Sequence, residues 1–597
     1  MAVVFLIFAR VLTLAMTIAT MIRMITADKL AIVVIVLLSI ASVASAAETP
    51  KWSADPPVTL DFDMQSIPEP KERSRSFYYD FLYSTFGLQV KEAADLPRNS
   101  RKLARKPKRS YNLNVLDKVP DSSWFTNRNA KKGMSLEEIK TGPNRGSGPA
   151  AGTWTVIQGK TEGITPGFLI RDARGDVYQL KFDPPEYPEM TTAAEVIASK
   201  LYYAAGYNVK ENYLVLFHRA RLALDEQATI KDRRGRSRRM MEADVDAILA
   251  QVARRSDGTF RAVAGKYLEG IDKGPFAFEG VRKDDPNDWI PHEHRRDLRG
   301  LRVLASWLNE NDFREGNTLD MYVEEDGRRF LRHYLIDFGS SLGSDTIHPN
   351  IDRIGNEHQL DLGETAKSLF SFGLYRRPWH STQNVVYRST GFLESDIFDP
   401  GRWKANYPVL PFENMTLGDA FWGTRLVLSF TDKQIRAAVE TGEFTDPGAT
   451  DFLTQVLIQR RDKIARYWLS RVSPLDRFEV RASGGTLKLA FRDLEVEQGF
   501  VGRERPSYEF SISIEPDGKE LASKRRVQEP LLSVDMLPSS QASPASEAAP
   551  RTARDDHAYR VSLRTLRDGR FQGGKVDVYL LNRKERWDVV GIDGHDR

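Results

Sequence analysis

The segment from residue 298 to residue 339 constrains this chain more than any other, because it sets a helix, a polar loop, a hairpin and a second acidic loop in that order. Leu298, Leu301, Leu304, Ala305 and Leu308 recur at three- and four-residue spacing, which marks an amphipathic helix ending near Asn309. The polar string Asn309-Glu310-Asn311-Asp312 follows at once and runs on as Phe313-Arg314-Glu315-Gly316-Asn317. Asp312 and Asn317 therefore stand five positions apart on one loop. Residues 319–323 and 330–336 are β-prone runs separated by Glu324-Glu325-Asp326-Gly327, a turn signal. Asp337-Phe338-Gly339 comes directly after the second run.

Carboxylate and amide oxygens are hard ligands of the kind Mg²⁺ takes, and a carboxylate beside a hydroxyl is a general base. The same Asp and Asn residues also serve as ordinary cap and turn formers, bonding nearby backbone. Upstream, residues 177–182 alternate Tyr178, Leu180 and Phe182 with Gln179 and Lys181, which predicts a strand carrying a lysine. Thr191 and Thr192 read as the cap of a helix over 193–205, with Glu195 in its first turn. An exposed strand lysine and a glutamate favoured by the helix dipole would look the same. Residues 154–158 and 168–171 read as strands flanking a segment with Gly159, Gly163 and Gly167 at four-residue spacing. Its backbone N–H groups, with Thr161 and Thr165, suit phosphate oxygens. An ordinary hairpin turn accounts for them equally.

Taken together, the strings D-x-x-x-x-N and D-F-G, in that order and after a strand lysine and a helix glutamate, resemble the protein-kinase-like superfamily. The chain is similar to its atypical HipA-type, spore-coat CotH-type and secretory-pathway kinases, over residues 151 to 472. The resemblance implies an α+β, two-lobe protein-kinase-like fold with a β-rich N-lobe and a helical C-lobe. It implies Asp312 as catalytic base, with Arg314 where many kinases place a lysine on the γ-phosphate. Asn317 and Asp337 would hold Mg²⁺, and Lys181 with Glu195 would clamp the phosphates. Gly163, Thr165 and Gly167 would line the site of ATP or another nucleotide. The chain departs from the pattern in three places: Glu310-Asn311 replaces His-Arg before Asp312, no A-P-E segment follows Asp337, and the glycine spacing is altered.

Length and composition frame this core. A chain of 597 residues holds several domains. The expected boundaries are a signal peptide or leader over 1–46, an N-terminal extension over 47–150 that wraps the N-lobe, an N-lobe with an insertion over 151–290 and a C-lobe over 291–472. A small all-β, sandwich-like domain follows over 475–597, containing a Ser/Pro/Ala-rich disordered loop over 537–553. Residues 30–41 are apolar and Ala44-Ser45-Ala46 has the small-x-small form of a cleavage site, so the mature chain is expected in the periplasm or secreted, without a stable membrane span. There is no cysteine, which excludes disulfides and thiol catalysis. A net charge of +4 gives no reason to expect nucleic acid, and the arginine run at 233–239 lacks aromatics and reads as a solvated loop. The aromatics Phe370, Phe372, Tyr375 and Trp379 suggest a substrate-side segment, with C-lobe packing the alternative that accounts for most of them. His292-Glu293-His294 lacks the H-E-x-x-H spacing of a zinc protease. Two functions remain: an exported phosphotransferase moving a phosphoryl or nucleotidyl group to a protein or glycan acceptor, or a non-catalytic kinase-like scaffold of the cell envelope.

Overall fold

Alternating apolar residues build the first layer. In the computed structural model, β1 (Trp154–Gly159), β2 (Gly167–Arg171), β3 (Val177–Phe182), β4 (Asn212–Phe217), β5 (Leu222–Lys231), β6 (Ser237–Arg239) and β7 (Phe260–Lys266) form a seven-stranded sheet. Their order is β4-β7-β3-β2-β1-β5-β6, antiparallel except for the β1/β5 pair. Tyr178, Leu180 and Phe182 of β3 are buried in one cluster with Trp154, Phe168 and Phe217. The opposite face of β3 carries Lys181, which reaches helix α1 (Met190–Ala205). Helix α2 (Glu242–Leu249) covers the apolar face with Val245 and Leu249.

The structure describes residues 51–597 except 75–81, 90, 92–94, 96–98, 102–107, 160–165, 232–235, 373, 381–384, 484–485, 501–503, 516, 536–557, 584–585 and 597. The leader over 1–46, the loop over 537–553, and Gly163 and Thr165 lie outside the described residues. Trp52–Arg597 forms one compact unit.

The start of α1 corrects the sequence reading. Thr191 and Thr192 lie inside the first turn, and the cap position is Glu189 in the left-handed region at φ 71°. Asp183, just past β3, takes over the capping role: its carboxylate accepts from the Thr192 amide at 2.8 Å and the Thr192 hydroxyl at 2.7 Å. Glu195 consequently sits in the second turn.

Below the sheet, α3 (Arg296–Leu308) ends on Asn309, left-handed at φ 50°, a conformation asparagine tolerates. A short strand β8 (Ile271–Asp272) borders the hairpin of β9 (Thr318–Glu325) and β10 (Arg328–Leu335), which pairs without a slip from Thr318↔Leu335 to Arg328↔Glu325. Asp326 and Gly327 both have positive φ, as a two-residue hairpin turn requires. Helix α4 (Leu362–Phe370) precedes α5 (Leu417–Leu428), α6 (Asp432–Glu440) and α7 (Pro447–Leu469). Two helical patterns are legible in that last stretch and three helices form. Helix α5 is buried on nearly every side, so it shows no amphipathic period. The aromatics after Asp337 also differ from expectation. Trp379 is buried, but Phe370 is 81% and Phe372 94% exposed.

The C-terminal part is an α-poor double sheet, one of three strands and one of five. Strands β11 (Leu475–Ser483), β12 (Thr486–Asp493), β13 (Ser507–Glu515), β14 (Lys519–Val527), β15 (Leu531–Asp535), β16 (Ala558–Arg567), β17 (Arg570–Arg583) and β18 (Arg586–Asp593) enclose one apolar core. Strand β14 is hidden from periodicity reading because it is a sheet edge carrying Lys519, Lys524, Arg525 and Arg526.

The N-terminal extension is fastened to both lobes: on the N-lobe side Asn144 Nδ2 donates to the Asn212 carbonyl at 2.9 Å and the Ala150 amide to Asp172 Oδ2 at 2.7 Å. Trp124 stacks on His333 of β10 at 3.6 Å and Phe125 packs on Trp422 of α5 at 5.2 Å between ring centroids. On the C-lobe side the aromatic pair Trp124-Phe125 finds its apolar partners. Arg296, fully buried at the start of α3, binds Asp117 of the extension at 2.8 Å, Asp419 of α5 at 3.0 Å and Asp596 at 3.5 Å. A buried guanidinium with three carboxylate neighbours fixes the helix that carries the polar loop from three directions.

Candidate active site

The site is assembled from β3, α1, the loop after α3 and the loop after β10. Lys181 is 4% exposed and Glu195 0%. The Lys181 ammonium lies 3.1 Å from Glu195 Oε2 and 2.7 Å from Asp337 Oδ1. Burial alone would lower the lysine pKa, but the Asp337 and Glu195 carboxylates outweigh it and hold Lys181 charged, above its ordinary range. Gly167 lies directly across from Lys181 in the β2/β3 pair, so that neighbour strand carries no side chain there.

Asp337 adopts φ 65° and ψ 67°, a left-handed conformation uncommon outside glycine. Gly339 is what lets the loop close on α1: a Cβ there would meet Thr191 Cγ2 at 3.2 Å and Glu195 Oε2 at 3.6 Å. Phe338 is buried and stacks on Tyr202 of α1 at 4.9 Å between centroids. The strained aspartate is thus presented to Lys181 by packing on both sides of it, and its own side chain stays 46% exposed.

On the facing loop, Asn317 Nδ2 donates to the Asp312 carbonyl at 2.8 Å and to Asp312 Oδ2 at 3.0 Å. This leaves Asn317 Oδ1 as an acceptor. Arg314 Nε stands 3.4 Å from Asp312 Oδ2. Burial pushes the Asp312 carboxyl up to about 6, against the opposing pull of the Arg314 charge and the Asn317 amide, with Asp337 and Asp345 adding repulsion. The structure therefore brings together Lys181, Glu195 and Asp337 on one side, and Asp312, Arg314 and Asn317 on the other. Among the described residues no three His, Cys, Asp or Glu side chains form a metal-holding group. An Asp337 carboxylate plus the Asn317 amide is nevertheless a fitting donor set for Mg²⁺, which takes few protein ligands and completes its shell with phosphates and water.

Two residues of this site escape a motif-based reading. Asn311 is fully buried, donates to the Ser340 carbonyl at 3.1 Å and accepts from Asn406 Nδ2 at 2.7 Å, pinning the Asp312 loop to the segment after Asp337. Glu310 is 3% exposed. Burial, reinforced by Asp312, Asp337 and Glu195, holds its carboxyl well above the usual range. Their only sequence signal is position, where the resemblance expects His-Arg.

The comparisons come to the following. No family model matches the chain, and no curated protein matches it. Among solved structures it is similar to a Helicobacter pylori proinflammatory kinase, CtkA, at 13% identity and a TM-score of 0.26, over 52% of this chain and 93% of that one. It is similar to the Golgi casein kinase at 12% identity and a TM-score of 0.29, over 68% of this chain and 96% of that one. The Golgi casein kinase with Mn/ADP bound gives 11% identity and a TM-score of 0.29, over 68% and 94%. Superpositions this loose add nothing to the geometry above. The site itself consists of a sheet lysine, a helix glutamate, a polar loop after α3 and an acidic loop after the hairpin.

Proposed function

We propose that this chain is a kinase-like phosphotransferase that moves a phosphoryl or nucleotidyl group from a Mg²⁺-bound nucleotide to a protein or glycan acceptor. The observation that carries this reading is the Lys181 ammonium held between Glu195 and Asp337. A buried lysine fixed charged beside a base and two oxygen ligands is the set phosphoryl transfer needs. Lys181 would sit on the nucleotide phosphates, Asn317 and Asp337 would hold the metal, and Asp312 would take the acceptor proton. The metal, when bound, supplies neutralisation of phosphate charge. Arg314, resting on Asp312, is placed to hold the transferring group beside the base.

The test is a thermal-shift panel of adenine and guanine nucleotides with and without Mg²⁺. At one hundred times Kd a ligand adds about 2.7 kcal/mol to stability. A rise in melting temperature that needs both nucleotide and metal is expected. Its absence across the panel would discard catalysis.

The alternative is a non-catalytic scaffold of the envelope. It is favoured by the way these side chains already neutralise one another, Lys181 with two carboxylates and Arg314 with Asp312.

Export is part of the proposal and rests on residues 30–47. Among the described residues no helix is long and apolar enough to cross a membrane. N-terminal sequencing of protein recovered from cells is expected to begin at or near Ala47; a full-length form retaining Ala2 would remove export by signal peptide from the reading.

A further inference from the structure

The phosphotransferase reading leaves the acceptor open, and the extension supplies a candidate. Its chain crosses the face of the Asp312 loop. Arg73 donates from its amide to the Lys273 carbonyl at 2.9 Å and from Nη1 to the Pro275 carbonyl at 2.8 Å, while Nη2 binds Glu315 Oε2 at 2.8 Å. Glu315 belongs to the same loop as Arg314 and Asn317. Further along, the extension forms a short π-helix, Tyr83–Gly87. Gln89 ties the end of that turn down by donating to the Leu360 carbonyl at 2.7 Å.

Between this turn and the loop lies a small pocket, lined among others by Tyr83, Ser84, Phe313, Arg314, Glu315 and Leu410. Three hydroxyls of the extension lie together here, and two are not available. Tyr83 Oη donates to Glu279 Oε2 at 3.0 Å. Thr85 is 5% exposed and buried away from solvent. Ser84 is half-buried and lines the same pocket as Arg314, and its hydroxyl makes no hydrogen bond among the described residues. Arg314 in turn touches the Asp312 carboxylate at 3.4 Å.

We propose that Ser84 is a modification site for the chain's own active site, phosphorylated in cis; this rests on the phosphotransferase reading. The Ser84 Oγ attacks the terminal phosphorus of a bound nucleoside triphosphate. The Oγ–P bond forms as the bond from phosphorus to the bridging oxygen breaks, the electron pair leaves with the nucleoside diphosphate, and the hydroxyl proton passes to Asp312. Holding the hydroxyl on a tethered strap replaces a bimolecular encounter by an intramolecular one. The product phosphate lies beside Arg314, whose guanidinium pairs with it.

The experiment incubates the full chain with Mg²⁺ and ATP, then with Mg²⁺ and GTP, and maps phosphate by fragmentation mass spectrometry. One phosphate on the Ser84 peptide is expected, at a rate per molecule unchanged by tenfold dilution, and lost in Ser84→Ala and Asp337→Ala. Ser84→Thr, which keeps a hydroxyl, is expected to retain the modification. Phosphate only at other positions, a Ser84→Ala protein labelled like wild type, or a rate that scales with protein concentration each overturn the in-cis assignment. A wild type that shows Mg²⁺-nucleotide stabilisation but no self-labelling overturns it alone. A wild type that binds no nucleotide overturns both.

Discussion

Asp337→Ala is expected to abolish the Mg²⁺-dependent stabilisation by nucleotide. The expected loss is the whole ligand contribution, about 2.7 kcal/mol at one hundred times Kd. Asp337 meets Lys181 at 2.7 Å while its side chain remains 46% exposed. Removing it deletes the proposed charged metal ligand and leaves Lys181 with Glu195. The change also carries a local cost, since alanine at φ 65° is less comfortable than aspartate, by roughly 1 kcal/mol. Asp337→Asn separates the two effects: it tolerates the left-handed backbone and keeps one oxygen, yet lacks the charge. Both variants are compared by thermal shift with and without Mg²⁺. A nucleotide shift equal to wild type in both would remove Asp337 from the metal site.

Why these parts were legible from sequence, and others were not, follows from their physics. Lys181 announces itself by alternation, because one face of β3 must be apolar and the lysine falls on the other. The hairpin is readable from Asp326-Gly327, where backbone chemistry selects the turn. The start of α1 misleads: threonines usually cap, yet a buried aspartate twelve residues before Glu195, Asp183, caps through space from the end of β3. Periodicity fails at α5, which is buried all round, and at β14, a charged edge. The docking of the extension on the C-lobe is the least legible part. The segment's Pro, Lys and Arg content gives no hint that Arg73, Ser110 and Trp124 dock on Glu315, Asp419 and His333 of the C-lobe. Long-range partners of polar residues leave no local pattern. Glu310 and Asn311 show the same limit inside the site, where a buried amide network holds two loops together and only position betrays it.

Asp312→Asn is expected to suppress turnover by about 10²- to 10⁴-fold, the usual contribution of a general base, while Mg²⁺-nucleotide stabilisation stays near wild type. The substitution keeps the shape that the Asn317 amide and Arg314 rest on. Its amide cannot accept the acceptor proton. The wild-type pH profile supplies the second half of the argument. Burial raises the Asp312 carboxyl to about 6, and a base works only when deprotonated. Turnover should therefore be flat above that value and fall about tenfold per unit as pH drops through and below it. A divalent cation at Asn317 and Asp337 would favour the carboxylate and move the break to lower pH, never higher. In Asp312→Asn the residual rate should lose this acid limb. Turnover close to wild type in the variant, or an acid limb that persists in it, would take the proton-accepting role away from Asp312 and leave it as a brace for Asn317.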